Sequence, residues 1–331
     1  MAGRRRKKSG GRSYAWRYRG RIVACVFVEV IIICALVIMI GWNKGVKEWF
    51  EQFEQPVLKE VDISGINSPN AILMQVRGGK ILGEINGEAQ IYPASMTKIM
   101  TVILGIENFD DLDEKITLTN EMFSGLYEQD ATQAGFQPGE EVRVIDLLYG
   151  AMLPSGAECC IALADTISGS EADFAELMNK KARKLGMENT HFCDSTGLHN
   201  PDHYSTVKDI AVLMKYCIKN DTFREIVETS RHSTGVTNIH PDGITYYSTM
   251  FKNLSDPTVT GGKILGGKTG YTSEAGHCLV SFAEIEGREY IFVSAGASGA
   301  DGNTIPHIQD AVTVYNRVGA AIEAKMNDNN K

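Results

Sequence analysis

Ser95 and Lys98 stand three positions apart in "PASMTKIM", residues 93–100. A hydroxyl and an amine at that spacing share one face of a helix. Pro93 and Ala94 precede the serine and an apolar run follows it, which places Ser95 at a helix N-terminus. Backbone N–H groups point outward there and can polarise an incoming carbonyl. Met96, Ile99 and Met100 crowd Lys98. An amine held among apolar side chains and near a second cation loses proton affinity, which makes it a base for the serine. The same residues also suit a helix-starting serine beside a lysine whose head reaches water. S-x-x-K recurs at Ser205 and Lys208, so the motif alone identifies nothing.

A second cation and hydroxyl lie in "GGKTG", residues 266–270. Gly262 and Gly267-Lys268-Thr269 also satisfy the phosphate-loop pattern G-x-x-x-x-G-K-[ST]. That loop needs a buried strand before it and a helix after it. Here "SDPTVTGG" precedes, and "YTSEAGHCLVSF" follows with the alternation of a strand. On an edge strand, Lys268 and Thr269 would offer a cation and a hydroxyl beside open backbone, a combination suited to a carboxylate-ended peptide. His191, His199 and His203 cluster near Cys193 and Asp194, but Pro201 argues against a regular metal-binding helix, and loop histidines are the simpler reading. There is no Gly-x-Ser-x-Gly elbow and no C-x-x-C pair. No metal or cofactor is expected.

The elements that must position these groups follow from periodicity. "AILMQVRGGKILGEING" reads as a hairpin, 71–77 and 80–85, turning on Gly78-Gly79. From Pro93 to about Ser230 the pattern is largely helical. It includes "VRVIDLLYGAMLPSGAECCIALADTIS" and "EADFAELMNKKARKLG", the latter closed by Gly186. After Gly261 come three strand-like segments, and the end is an amphipathic helix with Ile308, Val312, Tyr315, Val318 and Ile322 on its apolar side. This order predicts an α/β architecture: one antiparallel sheet whose first and last strands are far apart in sequence, flanked by helices, with an inserted helical lobe. A cleft between sheet and lobe would draw residues from near 95, near 155 and near 268.

Residues 1–21 hold nine Arg or Lys and no acid. The remaining 24 basic residues face all 41 acids, so 22–331 carry a net −17. A body that acidic repels phosphate backbones, and no nucleic-acid partner is expected. Residues 22–42, "IVACVFVEVIIICALVIMIGW", are 21 residues with one charge, Glu29. That length spans a bilayer as a helix, and the basic flank puts the N-terminus in the cytoplasm. A cleaved signal peptide is the alternative, but the run is long and lacks a clear small-x-small site. The division expected is a cytoplasmic tail (1–21), a transmembrane helix in the lipid bilayer (22–42), a stalk (43–66) and an extracytoplasmic catalytic domain (67–325). Five cysteines lie beyond the span, an odd number, so at least one is unpaired within the monomer.

Taken in order, Ser95-x-x-Lys98, Ser155-Gly156-Ala157 and Lys268-Thr269-Gly270 resemble the three motifs of penicillin-binding proteins and serine β-lactamases. "PASMTKIMT", "HFCDSTGLHNPDHYSTVKDIA" and "GGKTGYTSEAGHCLVSFA" are similar to serine D-alanyl-D-alanine carboxypeptidases, over about residues 71–298. The resemblance implies the serine β-lactamase/DD-peptidase-like fold, preceded by the one transmembrane helix. It also implies removal of the terminal D-alanine from peptidoglycan stem peptides ending in D-Ala-D-Ala, with β-lactam antibiotics as covalent inhibitors. Ser95 would be the nucleophile, Lys98 its base and Ser155 a proton relay to the leaving D-alanine. Lys268 and Thr269 would hold the terminal carboxylate, and the N–H groups of Ser95 and Tyr271, after Gly270, would form the oxyanion hole. Two departures stand out: Ala157 replaces an asparagine, and the chain stops at Lys331 without the further sheet domain and amphipathic tail of many members. The alternatives are a catalytically weak penicillin-binding sensor or scaffold, or a β-lactamase or endopeptidase on the same scaffold.

Overall fold

Strand β1 (Asn70–Gln75) buries four consecutive apolar side chains, Ala71 to Met74, in the computed structural model, which describes residues 58–299 and 305–329. A strand apolar on both faces must be covered on both. Alternation assigns the layers: Ile72 and Met74 enter one core, Ala71 and Leu73 the other. β2 (Lys80–Ile85) pairs antiparallel with β1. The connection is longer than the two-residue turn expected. Pairing ends at Gln75 and Lys80, and a 3-10 turn, Arg77–Gly79, closes the hairpin with Gly78 at φ 83° and Gly79 at φ 67°.

The chain then builds the inserted lobe. Its elements are α1 (Lys98–Asn108), β3 (Lys115–Thr117), β4 (Glu141–Arg143), α2 (Val144–Met152), α3 (Ala157–Ser168), α4 (Glu171–Leu185), α5 (Val207–Cys217) and α6 (Asp221–Glu228). β5 (Arg231–Ser233), β6 (Thr245–Tyr247), α7 (Thr249–Asn253) and β7 (Thr258–Val259) lead back to the sheet. β3 pairs with β4 and β5 with β6; three-residue strands are too short to leave a period in the sequence. The long periodic run ending near Ser168 forms two helices rather than one. Pro154, which has no N–H, and Ser155, at φ 73°, separate α2 from α3. α4 starts on Ser170, whose hydroxyl accepts from Asp173 N, and stops at Gly186, φ 78°, as its sequence indicates.

β8 (Gly262–Thr272), β9 (Gly276–Ile285) and β10 (Arg288–Ala297) form the expected meander, and α8 (Pro306–Asn329) closes the chain. The six-stranded antiparallel sheet runs β2-β1-β10-β9-β8-β7, so β1 pairs with β10 across more than 200 residues. Ile291, Val293, Val280 and Phe282 face the lobe; Tyr290, Phe292, Leu279 and Ala283 face α8, whose Ile308, Tyr315, Val318 and Ile322 are buried on them.

The described residues all belong to one unit, Val57–Lys331. The tail, the apolar span and residues 43–57 of the stalk lie outside them; among the described residues no helix is long and apolar enough to cross a membrane. Residues 58–66, expected to end the stalk, lie on the sheet. Leu58, Val61 and Ile63 are buried, and Val61 N donates to Leu82 O at 2.8 Å. Gly83 allows this approach, because a Cβ there would stand 2.6 Å from Val61 O. The five cysteines among the described residues are free thiols.

Asp310 of α8 ties this entry segment down. Its carboxylate is 1 % exposed and accepts from the backbone N–H and side chain of both Asn67 and Ser68, at 2.6–2.9 Å. Asp310→Ala strands those donors, and urea unfolding should show about 3 kcal/mol less stability. A loss below about 0.5 kcal/mol would mean that solvent serves these donors equally well.

Candidate active site

Ser95 lies in a 3-10 turn (Ala94–Thr97) that runs directly into α1, the helix start read from its sequence. Two segments press on this turn. A Cβ at Gly270 of β8 would stand 3.0 Å from Ser95 N and 3.1 Å from the Ala94 Cβ. A Cβ at Gly197 would stand 1.9 Å from Ala94 O. Glycine is needed at both places for that approach. Ala94 itself is held at φ 46°, a left-handed conformation costly for alanine.

Lys98, 4 % exposed, places Nζ 2.9 Å from Ser95 Oγ and donates to Thr196 O at 2.7 Å. Burial pushes its pKa below the usual lysine value, opposed by Cys160, Asp194, Glu158 and Cys159. A neutral amine can accept as well as donate, so the serine contact can run with Ser95 as donor.

Lys268 is 1 % exposed, and its Nζ donates to Ser155 Oγ at 3.0 Å and to Thr269 O at 2.8 Å. Burial, then the charge of Lys98, holds its pKa well below the usual value. So two lysines, from α1 and β8, each meet one serine hydroxyl, and each loses proton affinity. For Lys98 the leading cause is burial, the first of the two causes that the sequence suggested. Ser155, 6 % exposed, reaches Lys268 only because the α2–α3 connection turns at its positive φ.

β8 runs as one strand through Gly262–Thr272 and turns into β9, so "GGKTG" is not followed by the helix that a phosphate loop requires. β7 pairs only with Gly262 and Lys263, leaving the rest of β8 as the expected edge. Thr269 Oγ1 lies 2.7 Å from Thr249 Oγ1, at the start of α7. Tyr271 is 62 % exposed, its ring 4.6 Å from that of His277.

The second S-x-x-K does not form a pair. Ser205 is fully buried and bonds Thr190 Oγ1 at 2.8 Å, whereas Lys208 is ion-paired to Glu88. The three loop histidines have separate partners: His191 meets Asp202 O, His199 packs edge-on to Tyr92, and His203 Nε2 lies 2.8 Å from Thr97 Oγ1.

Sequence reasoning missed Asp194, Thr196 and Thr249. Asp194 Oδ1 accepts from Thr196 N, Thr196 Oγ1 and Gly197 N, each at 2.7 Å, and so aims Thr196 O at Lys98. Burial alone would raise the Asp194 pKa, but His203 and these donors bring it down to about 2. The local signal was "DSTG", an aspartate placed to cap the N–H groups two and three residues on. Thr249 left no signal, since its partner is 20 residues away on another element.

A family model described as D-alanyl-D-alanine carboxypeptidase matches residues 57–299. D-alanyl-D-alanine carboxypeptidase DacF of Bacillus subtilis is 35 % identical over 231 residues, 69 % of this chain and 57 % of its own length. The D-alanyl-D-alanine carboxypeptidase of Streptomyces sp. strain K15 is also 35 % identical, over 69 % of this chain and 78 % of its own. The crystal structure of the Streptomyces K15 DD-transpeptidase superposes with TM-score 0.70 at 29 % identity, covering 79 % of this chain and all of that one. The chain spans under two thirds of the length of the first curated relatives it matches, 57 % and 58 % for two of them.

The positive φ of Ser155 gives a test of stored strain. Ser155→Ala and Ser155→Gly both delete the hydroxyl, but only glycine relieves the left-handed backbone. Urea unfolding should find the glycine variant about 1 kcal/mol more stable than the alanine variant. Equal stabilities would show that the connection relaxes once the hydroxyl is gone.

Proposed function

The chain belongs to the D-alanyl-D-alanine carboxypeptidase family, and on that premise we propose that it is a serine hydrolase that removes the terminal D-alanine from peptidoglycan stem peptides. The observation that carries this reading is the buried Lys98 amine 2.9 Å from Ser95 Oγ. Ser95 Oγ attacks the carbonyl carbon of the D-Ala-D-Ala bond while Lys98 Nζ takes its proton. The oxyanion is stabilised by the N–H groups of Ser95 and Tyr271, which the close packing of Gly270 on the Ser95 turn supports. Lys268 and Thr269 receive the terminal carboxylate, and Thr249 orients Thr269. Ser155, held on Lys268 Nζ, hands its hydroxyl proton to the departing nitrogen and is reprotonated by the proton that Lys98 took, which returns Lys98 to the neutral amine. Water then attacks the acyl carbon while Lys98 takes its proton, and Lys98 gives that proton to Ser95 Oγ as the acyl–oxygen bond breaks, which frees the serine. A β-lactam offers a carbonyl and a carboxylate in a similar relation, with its amide strained in a four-membered ring, and acylates Ser95.

Ala157 supports a second reading, a penicillin-binding protein that acylates but turns over poorly. It is buried at the first position of α3 and has no amide to orient Lys98 or substrate. One experiment separates the two readings. Incubated with a D-Ala-D-Ala-ended peptide, the protein should release D-alanine, and fluorescent penicillin should label it, with Ser95→Ala abolishing both and Ser205→Ala neither. Labelling without release would favour the second reading, and labelling retained in Ser95→Ala would overturn the nucleophile assignment.

We also propose that residues 22–42 anchor the protein, leaving the catalytic unit on the outer face of the membrane, on the strength of the nine basic residues before them and the single charge within. N-terminal sequencing of the envelope-purified protein should begin upstream of residue 22; a start near Asn43 would show a cleaved leader.

A further inference from the structure

Glu158 is fully buried, one residue beyond the Ser155-Gly156-Ala157 motif. Its Oε1 accepts from Ala134 N at 2.6 Å and Gly135 N at 3.0 Å, while its Oε2 is buried without a partner. A carboxylate is a poor choice for fastening a loop, because burying its charge is expensive and half of its hydrogen-bonding capacity stands unused. Tyr246 OH is likewise buried and unpartnered. An isolated structural tie would need neither feature.

Segment 132–135 lies against the last two motif residues and Glu158. Ala157 N donates to Thr132 O at 2.8 Å, beside the two bonds from Ala134 and Gly135 to Glu158. Gly156 is squeezed between them: a Cβ there would stand 2.7 Å from Ala134 Cβ and 3.0 Å from Glu158 Oε2. The residue before it, Ser155, holds a left-handed backbone that persists only where its surroundings impose it. The charge of Glu158 raises the proton affinity of Lys98, behind Cys160 and Asp194 and ahead of Cys159, and Lys98 in turn lowers that of Lys268.

We propose that Glu158 is a positioning residue for acyl transfer: it clamps segment 132–135 onto the motif so that the Ser155 hydroxyl stays on Lys268 Nζ. The proposal rests on the serine-hydrolase reading above. Burial raises the Glu158 pKa, and the donors at Gly135 and Ala134 oppose that rise. Above that pKa the anion favours protonated Lys98, which holds back the base; removing the anion lets Lys98 lose its proton at lower pH.

The test measures penicillin acylation of the full-length protein against pH for wild type, Glu158→Ala, Glu158→Gln and Glu158→Asp, with melting curves. Glu158→Ala, which loses the clamp, should acylate roughly ten- to a hundredfold more slowly. Glu158→Gln keeps an oxygen for Ala134 and Gly135 and should recover most of the rate, with the acid limb of its pH profile moved to lower pH. Glu158→Asp, charged but shorter, should be slow with an unmoved limb. A purely structural role would lower the melting temperature without moving the limb. A Glu158→Ala variant that melts cooperatively and acylates at the wild-type rate overturns the clamp. If that variant does not fold, a Glu158→Asp variant that folds and acylates at the wild-type rate overturns the clamp, and a Glu158→Gln limb that coincides with wild type overturns the charge effect. Wild type left unlabelled at Ser95 would instead refute the underlying reading, a separate result.

Discussion

Two lysines that water scarcely reaches set the terms for the rest of this molecule. An unpaired ammonium in an apolar interior is strongly disfavoured, so each amine either gives up its proton or finds oxygen. Lys98 finds Ser95 Oγ and Thr196 O; Lys268 finds Ser155 Oγ and Thr269 O. These oxygens come from the turn before α1, the 192–206 loop, the α2–α3 connection and β8, so satisfying two side chains requires the lobe and the sheet to meet at one line. Exclusion of water therefore lowers the proton affinity of both amines.

Backbone strain also sits at that junction. Ala94 and Ser155, the residues carrying or preceding the reactive hydroxyls, both adopt positive φ. Neither could hold that conformation in a free loop. Gly197 and Gly270 press on the first, while Ala134 and Glu158 crowd Gly156, the residue after the second. The sheet supplies rigidity of a different kind: β1 and β10 are paired residue for residue, and both faces are covered. Strain at the cleft is stable because the layers behind it are regular.

The order of layers also explains how one strand can serve two roles. β8 is paired with β9 along its length and contributes Ile264 to the core. Its other edge is open beyond Lys263, and the Lys268 and Thr269 side chains reach the lobe from there. An open edge is usually a hazard for association, and here it is short and flanked by α7 and the Ser95 turn.

Local spacing carried a good deal of this. Ser95 with Lys98, the strand character of Lys268–Tyr271, the meander, the closing helix and the Gly186 stop follow from periodicities of two and 3.6, which act over a few residues and need no partner. Ser155 was reached by motif order alone, because its φ and its lysine depend on a turn that the helical period of 142–168 conceals. Tertiary structure decided the remainder. Thr196 meets Lys98 across 98 residues, and Thr249 meets Thr269 across two elements. A backbone carbonyl and a common hydroxyl have no distinctive residue type, so nothing in the sequence marks them. Whether Lys98 is a base or a solvated cation is settled only when the lobe closes on the sheet, since burial is a property of the packed chain and proton affinity follows burial.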